Sequence, residues 1–129
     1  MTWMNGLRAT FDLETTGVDV TTARIVTASL ILLDPQGNVV RRGEWLADPG
    51  VEIPAGAAAV HGITTEYARK HGRPAREVVW ELAGAIGALN IDGVPIIAFN
   101  AAYDFSVLHH EMLRHNIANG ELPPGVVLD

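Results

Sequence analysis

Two acidic residues, Asp12 and Glu14, end an apolar stretch near the N-terminus and are separated by a single leucine. Side chains alternate along a β-strand, so residues two apart leave the same face about 6.6 Å from each other. Neighbouring carboxylates repel each other and are costly to desolvate unless a cation neutralises them. Mg²⁺ and Mn²⁺ prefer oxygen ligands, so the pair could hold a divalent metal ion. An Asp-x-Glu pair is also common at a solvated strand edge or turn, and the spacing alone leaves both interpretations open.

A third carboxylate, Asp104, follows a second apolar stretch at residues 96–99. It stands in the first turn of a predicted helix, where the helix dipole favours an acidic side chain by about 0.3–1 kcal/mol. That effect would account for an isolated aspartate. A role as a metal ligand is the alternative, and the choice depends on the residues around it.

Apolar and β-branched runs predict the strands that position these carboxylates. A turn at residues 34–38, with Pro35 and Gly37, separates two of the runs and predicts a hairpin between them. The predicted strands cover residues 7–13, 25–33, 39–46, 94–99 and 126–128.

Helical patterns occupy the stretches between the later strands. Thr64 can cap a short helix, and Pro74 suits the first residue of a longer one that ends near residues 90–93. A second long helix is predicted over residues 102–116, with Phe105 among its buried residues. The order βββ–α–β–α–β predicts an α/β protein whose mixed sheet has three antiparallel strands, then parallel strands, flanked by helices.

The composition limits the class of protein. A chain of 129 residues suggests one domain, and 48% hydrophobic against 19% charged residues is typical of a soluble protein. No apolar run reaches the roughly 18–20 residues of a membrane span, so no membrane association is expected. The absence of cysteine excludes disulfides and thiolate metal sites, and a cytoplasmic location is expected. The net charge of −6 argues against a broad basic face for nucleic acid, but a carboxylate metal site is itself acidic.

Four cations lie within eight residues: Arg69, Lys70, Arg73 and Arg76. They indicate either a solvated turn between two helices or a contact with backbone phosphates. The sequence does not separate these two interpretations.

Residues 11–17, Phe-Asp-Leu-Glu-Thr-Thr-Gly, resemble the first motif of the DnaQ-like (DEDD) 3′–5′ exonucleases at all seven positions. Asn-x-x-Tyr-Asp at residues 100–104 resembles their second motif. The segment Val-His-Gly-Ile-Thr at residues 60–64 resembles one found between the two motifs in many bacterial members. The resemblance implies a ribonuclease H-like fold. It also implies that Asp12, Glu14 and Asp104 are metal ligands and catalytic residues.

The same resemblance implies an activity. We expect hydrolysis of the terminal phosphodiester at a DNA 3′ end, of the proofreading or repair type, with two Mg²⁺ or Mn²⁺ ions and a DNA polymerase as a candidate partner. His61 is expected to have a structural role in a turn. The residues expected around the terminal nucleotide are Leu13, Thr15, Thr16, Asn100 and Phe105.

The third motif of the family, His-x-x-x-x-Asp or Tyr-x-x-x-Asp, is absent from the sequence, and Asp129 is not assigned as the fourth ligand. We therefore expect residues 1–129 to form a single exonuclease-like domain that is truncated at its C-terminus. Two alternatives remain open. One is a noncatalytic nucleic-acid-binding or polymerase-binding module of the same fold, and the other is a structural fragment that binds metal weakly.

Overall fold

Three long strands form the centre of the sheet because their residues are mainly apolar and β-branched: β1 (Arg8–Thr15), β2 (Ile25–Leu33) and β3 (Val39–Asp48). The computed structural model describes residues 6–128, so Asp129 lies outside the described residues. Three two-residue strands complete the sheet: β4 (Arg73–Pro74), β5 (Ile96–Ile97) and β6 (Val127–Leu128).

The sheet has the strand order β4-β3-β2-β1-β5-β6. β1 pairs with β2, and β2 with β3, in antiparallel orientation, whereas β1–β5 and β5–β6 are parallel pairs. The predicted mixed sheet, with antiparallel strands followed by parallel strands, is therefore confirmed. The predicted hairpin is also confirmed: Gly37 has a φ of +86°, and the Asp34 carboxylate accepts hydrogen bonds from the amides of Gln36 and Asn38 at 2.9 and 2.8 Å.

Four helices flank the sheet: α1 (Ala55–His61), α2 (Thr65–His71), α3 (Ala75–Ile91) and α4 (Ala101–Arg114). The cap predicted for α2 is confirmed, because Oγ1 of Thr64 accepts a hydrogen bond from the Tyr67 amide at 3.1 Å. Helix α1 was not predicted, although its alanine-rich sequence and Gly62, with a φ of +79° at its C-terminus, are ordinary helix signals.

Several predicted boundaries were wrong. β1 covers Arg8–Thr15 instead of residues 7–13, β3 extends to Asp48, and Pro74 precedes α3 instead of being its first residue. The strand predicted over residues 94–99 is only β5, because the Val94 amide bonds the Leu89 carbonyl at 3.0 Å and so closes the end of α3. The helix predicted over residues 102–116 starts one residue earlier and ends at Arg114. Asn116 has a φ of +57°, which the helix cannot accommodate.

The main core lies between one face of the sheet and the helices α3 and α4. Phe11 and Leu13 of β1 contribute to it from the sheet, and Leu82 of α3 and Leu108 of α4 pack against them. The other face of β1 lies toward α2 and the segment before it. Among the helices seen between residues 6 and 128, none has the length and apolar character that crossing a bilayer requires.

Candidate metal and nucleic-acid site

Asp12 leaves the sheet on the face opposite the main core, because it alternates with the buried residues Phe11 and Leu13. It is exposed and pairs across the sheet with Ser29 of β2. With Glu44 of β3 and other residues it lines a cavity of about 410 Å³. The Asp12 carboxylate is therefore accessible to an ion from solvent.

Glu14 lies two residues further, at the end of β1, and is half-buried. It lines a second cavity, of about 380 Å³, together with Val60 and His61 of α1 and Tyr103 of α4. This cavity is where the first motif, the segment at residues 60–64 and the second motif meet. The three stretches that carry the family resemblance are thus neighbours in space.

Asp104 is buried, with 4% of its surface exposed. It lies on the same stripe of α4 as Val107 and Leu108, which pack into the core on the Phe11 side of the sheet. Asp104 therefore belongs to the buried face of α4. Among residues 6–128 there is no group of three or more carboxylate, imidazole or thiol side chains arranged to hold a metal ion. The structure does not bring the three predicted ligands together into one ready-made cluster.

The residues predicted to surround a nucleotide fall into two groups. Thr15 and Thr16 line the cavity beside Glu14, and Asn100 is exposed at the start of α4. Leu13 borders the same cavity, but its side chain belongs to the main core. Phe105 packs edge-to-face against Phe11, with ring centroids 5.1 Å apart. The structure thus gives Leu13 and Phe105 packing roles and leaves the two threonines and Asn100 accessible.

Hydrogen bonds hold the chain that follows β1. The Tyr103 hydroxyl lies 2.5 Å from Oγ1 of Thr15 and donates to the carbonyl oxygen of Gly17. Thr16 and Arg24 exchange two bonds, from the Thr16 amide to the Arg24 carbonyl at 3.0 Å and from the Arg24 amide to Oγ1 of Thr16 at 2.9 Å. The backbone beside the cavity therefore has a defined conformation.

His61 connects α1 to the first motif. Its Nδ1 accepts a hydrogen bond from the Ile63 amide at 3.1 Å, and its Nε2 lies 3.1 Å from the carbonyl oxygen of Thr15. This arrangement suits a neutral imidazole with its proton on Nε2, which donates to Thr15. Both ring nitrogens serve the fold, in agreement with the structural role expected for this histidine.

Two features of this region were not predicted from sequence. Glu44 shares the cavity of Asp12 because of the sheet register, in which Ser29 pairs with both residues. Such a long-range register has no local sequence signal. Tyr103 belongs to the second motif, but its bond to Thr15, which joins positions 88 residues apart, was not predicted.

The four clustered cations do not form a free basic surface. Arg73 binds the carboxylates of Glu77 and Glu81, and Nε of Arg76 donates to the carbonyl oxygen of His115 at 3.2 Å. Hydrogen bonds from Arg73 and from Trp45 lower the pKa of Glu81 to about 2, and those from Glu81 and Glu77 raise the pKa of Arg73. Two of the four cations therefore have structural roles, while Arg69 and Lys70 lie exposed in the last turn of α2.

No family model matches the sequence, and no curated protein sequence matches it. Solved structures do match. Exonuclease I from Methylocaldum szegediense has 20% sequence identity and a TM-score of 0.79, over 95% of this chain and 27% of that one. E. coli exonuclease I in complex with a 5cy-dA13 oligonucleotide has 21% identity and a TM-score of 0.74. The zinc-bound form of the E. coli exonuclease I–ssDNA complex has 20% identity and a TM-score of 0.77.

The chain therefore has the ribonuclease H-like fold of exonuclease I, as the resemblance to DnaQ-like exonucleases implied. Both E. coli structures cover 97% of this chain, which in turn covers 28% of theirs. The chain thus spans little more than a quarter of the length of the exonuclease I structures that it matches. At this level of identity the comparison establishes the fold.

Proposed function

We propose that this chain is a metal-dependent 3′–5′ exonuclease domain that hydrolyses the terminal phosphodiester of DNA, in proofreading or repair. The observation that carries the proposal is the cavity at the end of β1, where Glu14 and both threonines of the first motif meet Tyr103 of the second. The fold shared with exonuclease I supports the same assignment. A DNA polymerase is the partner that the proofreading form of this activity would require.

The carboxylates of β1 suit a hard divalent cation. Asp12 and Glu14 are oxygen donors on one face of the strand, and Mg²⁺ is commonly bound through one or two carboxylates together with substrate phosphates. We assign Asp104 as the third ligand and as a catalytic residue with Asp12 and Glu14. When bound, Mg²⁺ or Mn²⁺ ions lower the pKa of a water molecule and neutralise the charge that develops on the scissile phosphodiester.

The protein groups around the cavity would hold the end of the strand. A cavity of about 380 Å³ is within the usual size range of small-ligand sites. Thr15 and Thr16 line the cavity where the terminal nucleotide would lie, and Asn100 offers an exposed amide. Leu13 and Phe105 support this surface by packing beneath it. The oligonucleotides bound to E. coli exonuclease I support nucleic acid as the partner.

One observation favours a second function. Asp104 is buried on α4, and no three-ligand group forms within residues 6–128. A domain with this arrangement could retain the nucleic-acid surface without hydrolysing the strand. The alternative is therefore a noncatalytic module that binds nucleic acid or a polymerase.

An end-labelled assay separates the two functions. The complete chain is incubated with a 5′-labelled single-stranded DNA oligonucleotide and Mn²⁺ or Mg²⁺, and we expect stepwise shortening from the 3′ end that EDTA stops. Asp12→Ala should lower the rate by about 100-fold or more, because metals contribute several kcal/mol to such reactions. Asp92→Ala, at an exposed position after α3, is the matched control and should keep the parental rate.

Three outcomes are informative. Equal rates for the parent and Asp12→Ala would reject the proposed site. Binding of the oligonucleotide without shortening would support the noncatalytic module. Shortening that both EDTA and Asp12→Ala abolish would establish the exonuclease.

A further inference from the structure

Glu111, in the third turn of α4, is a carboxylate with no exposed surface. Its Oε2 accepts a hydrogen bond from the Ile25 amide at 2.9 Å, and its Oε1 forms an ion pair with Arg114. Nε2 of His115 lies 3.8 Å from the same oxygen. Burying a carboxylate costs several kcal/mol, which its partners offset only when their geometry is good. A residue with this cost on a helix that carries a predicted ligand calls for a functional explanation.

The amide that Glu111 binds belongs to Ile25, the first residue of β2, which directly follows loop 16–24, the segment that joins β1 to β2. Arg24 precedes Ile25 and exchanges two hydrogen bonds with Thr16 of the first motif. Glu111 therefore holds Ile25, whose neighbour Arg24 is hydrogen-bonded to Thr16, and Thr16 lines the cavity beside Glu14. Glu111 is thus linked to the first motif through consecutive hydrogen bonds that involve Ile25, Arg24 and Thr16.

Two other side chains of α4 hold the same loop. Tyr103 bonds Thr15 and Gly17 at the start of the loop, and Nη2 of Arg114 donates to the Thr21 carbonyl at 3.0 Å in its middle. Together with Glu111 they attach loop 16–24 to α4 at its beginning, middle and end. We call these three side chains the α4 clamp.

The clamp has a consequence for the predicted ligands. Asp104 lies on α4 between Tyr103 and Glu111, and Glu14 lies on β1 directly before the loop. Bonds on both sides of Asp104 limit sliding and rotation of α4 relative to the end of β1. The clamp therefore sets the separation between the carboxylates of the two motifs.

We propose that Glu111 is a positioning residue, which fixes the first-motif loop against α4 so that Glu14 and Asp104 keep the separation that the reaction needs. This inference rests on the proposed exonuclease function. Glu111 acts through Ile25, Arg24 and Thr16 and touches neither the metal ions nor the substrate. Loss of Glu111 should therefore lower kcat, the rate of hydrolysis in the enzyme–substrate complex, and leave the affinity for the substrate nearly unchanged.

The test compares two substitutions of Glu111 with a control in the complete ¹⁵N-labelled chain. Glu111→Leu keeps the volume but removes the acceptor and the charge. Glu111→Gln keeps an oxygen that can accept from Ile25. Glu77→Gln removes the charge from an exposed ion pair with Arg73 and is the control. Each variant is measured by amide hydrogen exchange at Thr16 and Ile25, and by kcat and KM on single-stranded DNA with Mn²⁺.

We expect Glu111→Leu to speed exchange at both amides by about 10-fold or more, equivalent to about 1.4 kcal/mol of lost protection. Its kcat should fall by at least a similar factor while KM changes by less than about 3-fold, since the defect lies in alignment and not in binding. Glu111→Gln should be intermediate in exchange and in kcat. Glu77→Gln should match the parent in all three quantities.

A folded Glu111→Leu variant with parental exchange at Thr16, or with parental kcat, would overturn the proposal. If that variant does not fold, Glu111→Gln decides, and parental values for both quantities would reject the positioning role. A parent that hydrolyses no DNA would count against the exonuclease function alone. The exchange of Thr16 still measures the clamp in that case, because it requires neither metal nor substrate.

Discussion

The hydroxyl oxygen of Tyr103, in the first turn of α4, lies 2.5 Å from Oγ1 of Thr15 at the end of β1. This bond joins the second motif to the first across 88 positions of sequence. Tyr103 also donates to the carbonyl oxygen of Gly17, so one side chain holds both ends of the turn that follows β1. The aromatic residue of the second motif is therefore a structural link between the two motifs.

Tyr103→Phe should lower the free energy of unfolding by about 1–2 kcal/mol, because the hydroxyl group of Thr15 and the carbonyl of Gly17 lose a part-buried partner. Urea unfolding measures this quantity. Tyr67→Phe, on the exposed side of α2, removes a hydroxyl of the same kind and should change it by less than about 0.5 kcal/mol. Equal effects of the two substitutions would contradict the link.

Asp12→Asn should weaken Mn²⁺ binding by about 10-fold or more, because it replaces a charged oxygen ligand by a neutral amide. Glu44→Gln is the sharper comparison, since Glu44 lines the same cavity but lies outside both motifs. We expect its effect on the dissociation constant to be less than about 2-fold, because an exposed charge that does not bind the ion directly is screened by solvent. Titration calorimetry of the two variants and the parent provides the measurement. A larger loss of Mn²⁺ affinity for Glu44→Gln than for Asp12→Asn would place the metal site nearer to β3.

His115 gives the protein a pH dependence of stability. Burial lowers the pKa of His115; the neighbouring Glu111 opposes that shift, while Arg114, Arg24 and Arg76 add to it. The unfolded chain, in which this pKa is about 6.5, therefore binds more protons than the folded chain as the pH falls below about 7. The free energy of unfolding must then decrease with acidification through this range.

His115→Gln removes the titrating group and should flatten this part of the profile. Urea unfolding at about pH 7 and about pH 5.5 should show a smaller loss of stability for the variant than for the parent. Groups that titrate in both proteins cancel in this comparison. Identical losses in the two proteins would show that His115 does not contribute.

Two glycines give opposite predictions for the same substitution. Gly72 follows α2 with a φ of −78°, but a Cβ there would lie 2.4 Å from the Ala68 carbonyl oxygen and 2.5 Å from the Asp48 amide nitrogen. Gly72→Ala should therefore destabilise the protein by about 1–3 kcal/mol or more. Gly84 lies on the exposed side of α3 with open space around it, so Gly84→Ala should stabilise by up to about 1 kcal/mol.

Thermal and urea unfolding of both alanine variants measure these changes. A stable Gly72→Ala variant would mean that α2 can move away from the end of β3. A destabilised Gly84→Ala variant would mean that α3 needs flexibility at that position. The opposite signs make each variant the control for the other.

The strands of the antiparallel half, the hairpin turn and the cap of α2 were predictable because each depends on residues close together in sequence. A strand needs an apolar run of suitable length, the turn needs a residue such as Gly37 that accepts a positive φ, and the helix needs a cap such as Thr64. The parallel half was less predictable. β5 has only two residues, and the Val94 amide before it bonds the Leu89 carbonyl near the end of α3.

The sequence by itself determined the two motifs, the alternation that places Asp12 and Glu14 on one strand face, and the order of the five predicted strands and of α2, α3 and α4. These follow from local periodicity and from residue types at fixed spacing. Only the tertiary structure decided that Asp104 is buried, that Glu44 lines the same cavity as Asp12, and that Glu111 reaches Ile25. Packing and strand register bring together residues that are far apart in the sequence. The contacts that they form therefore have no signal in a short stretch of sequence.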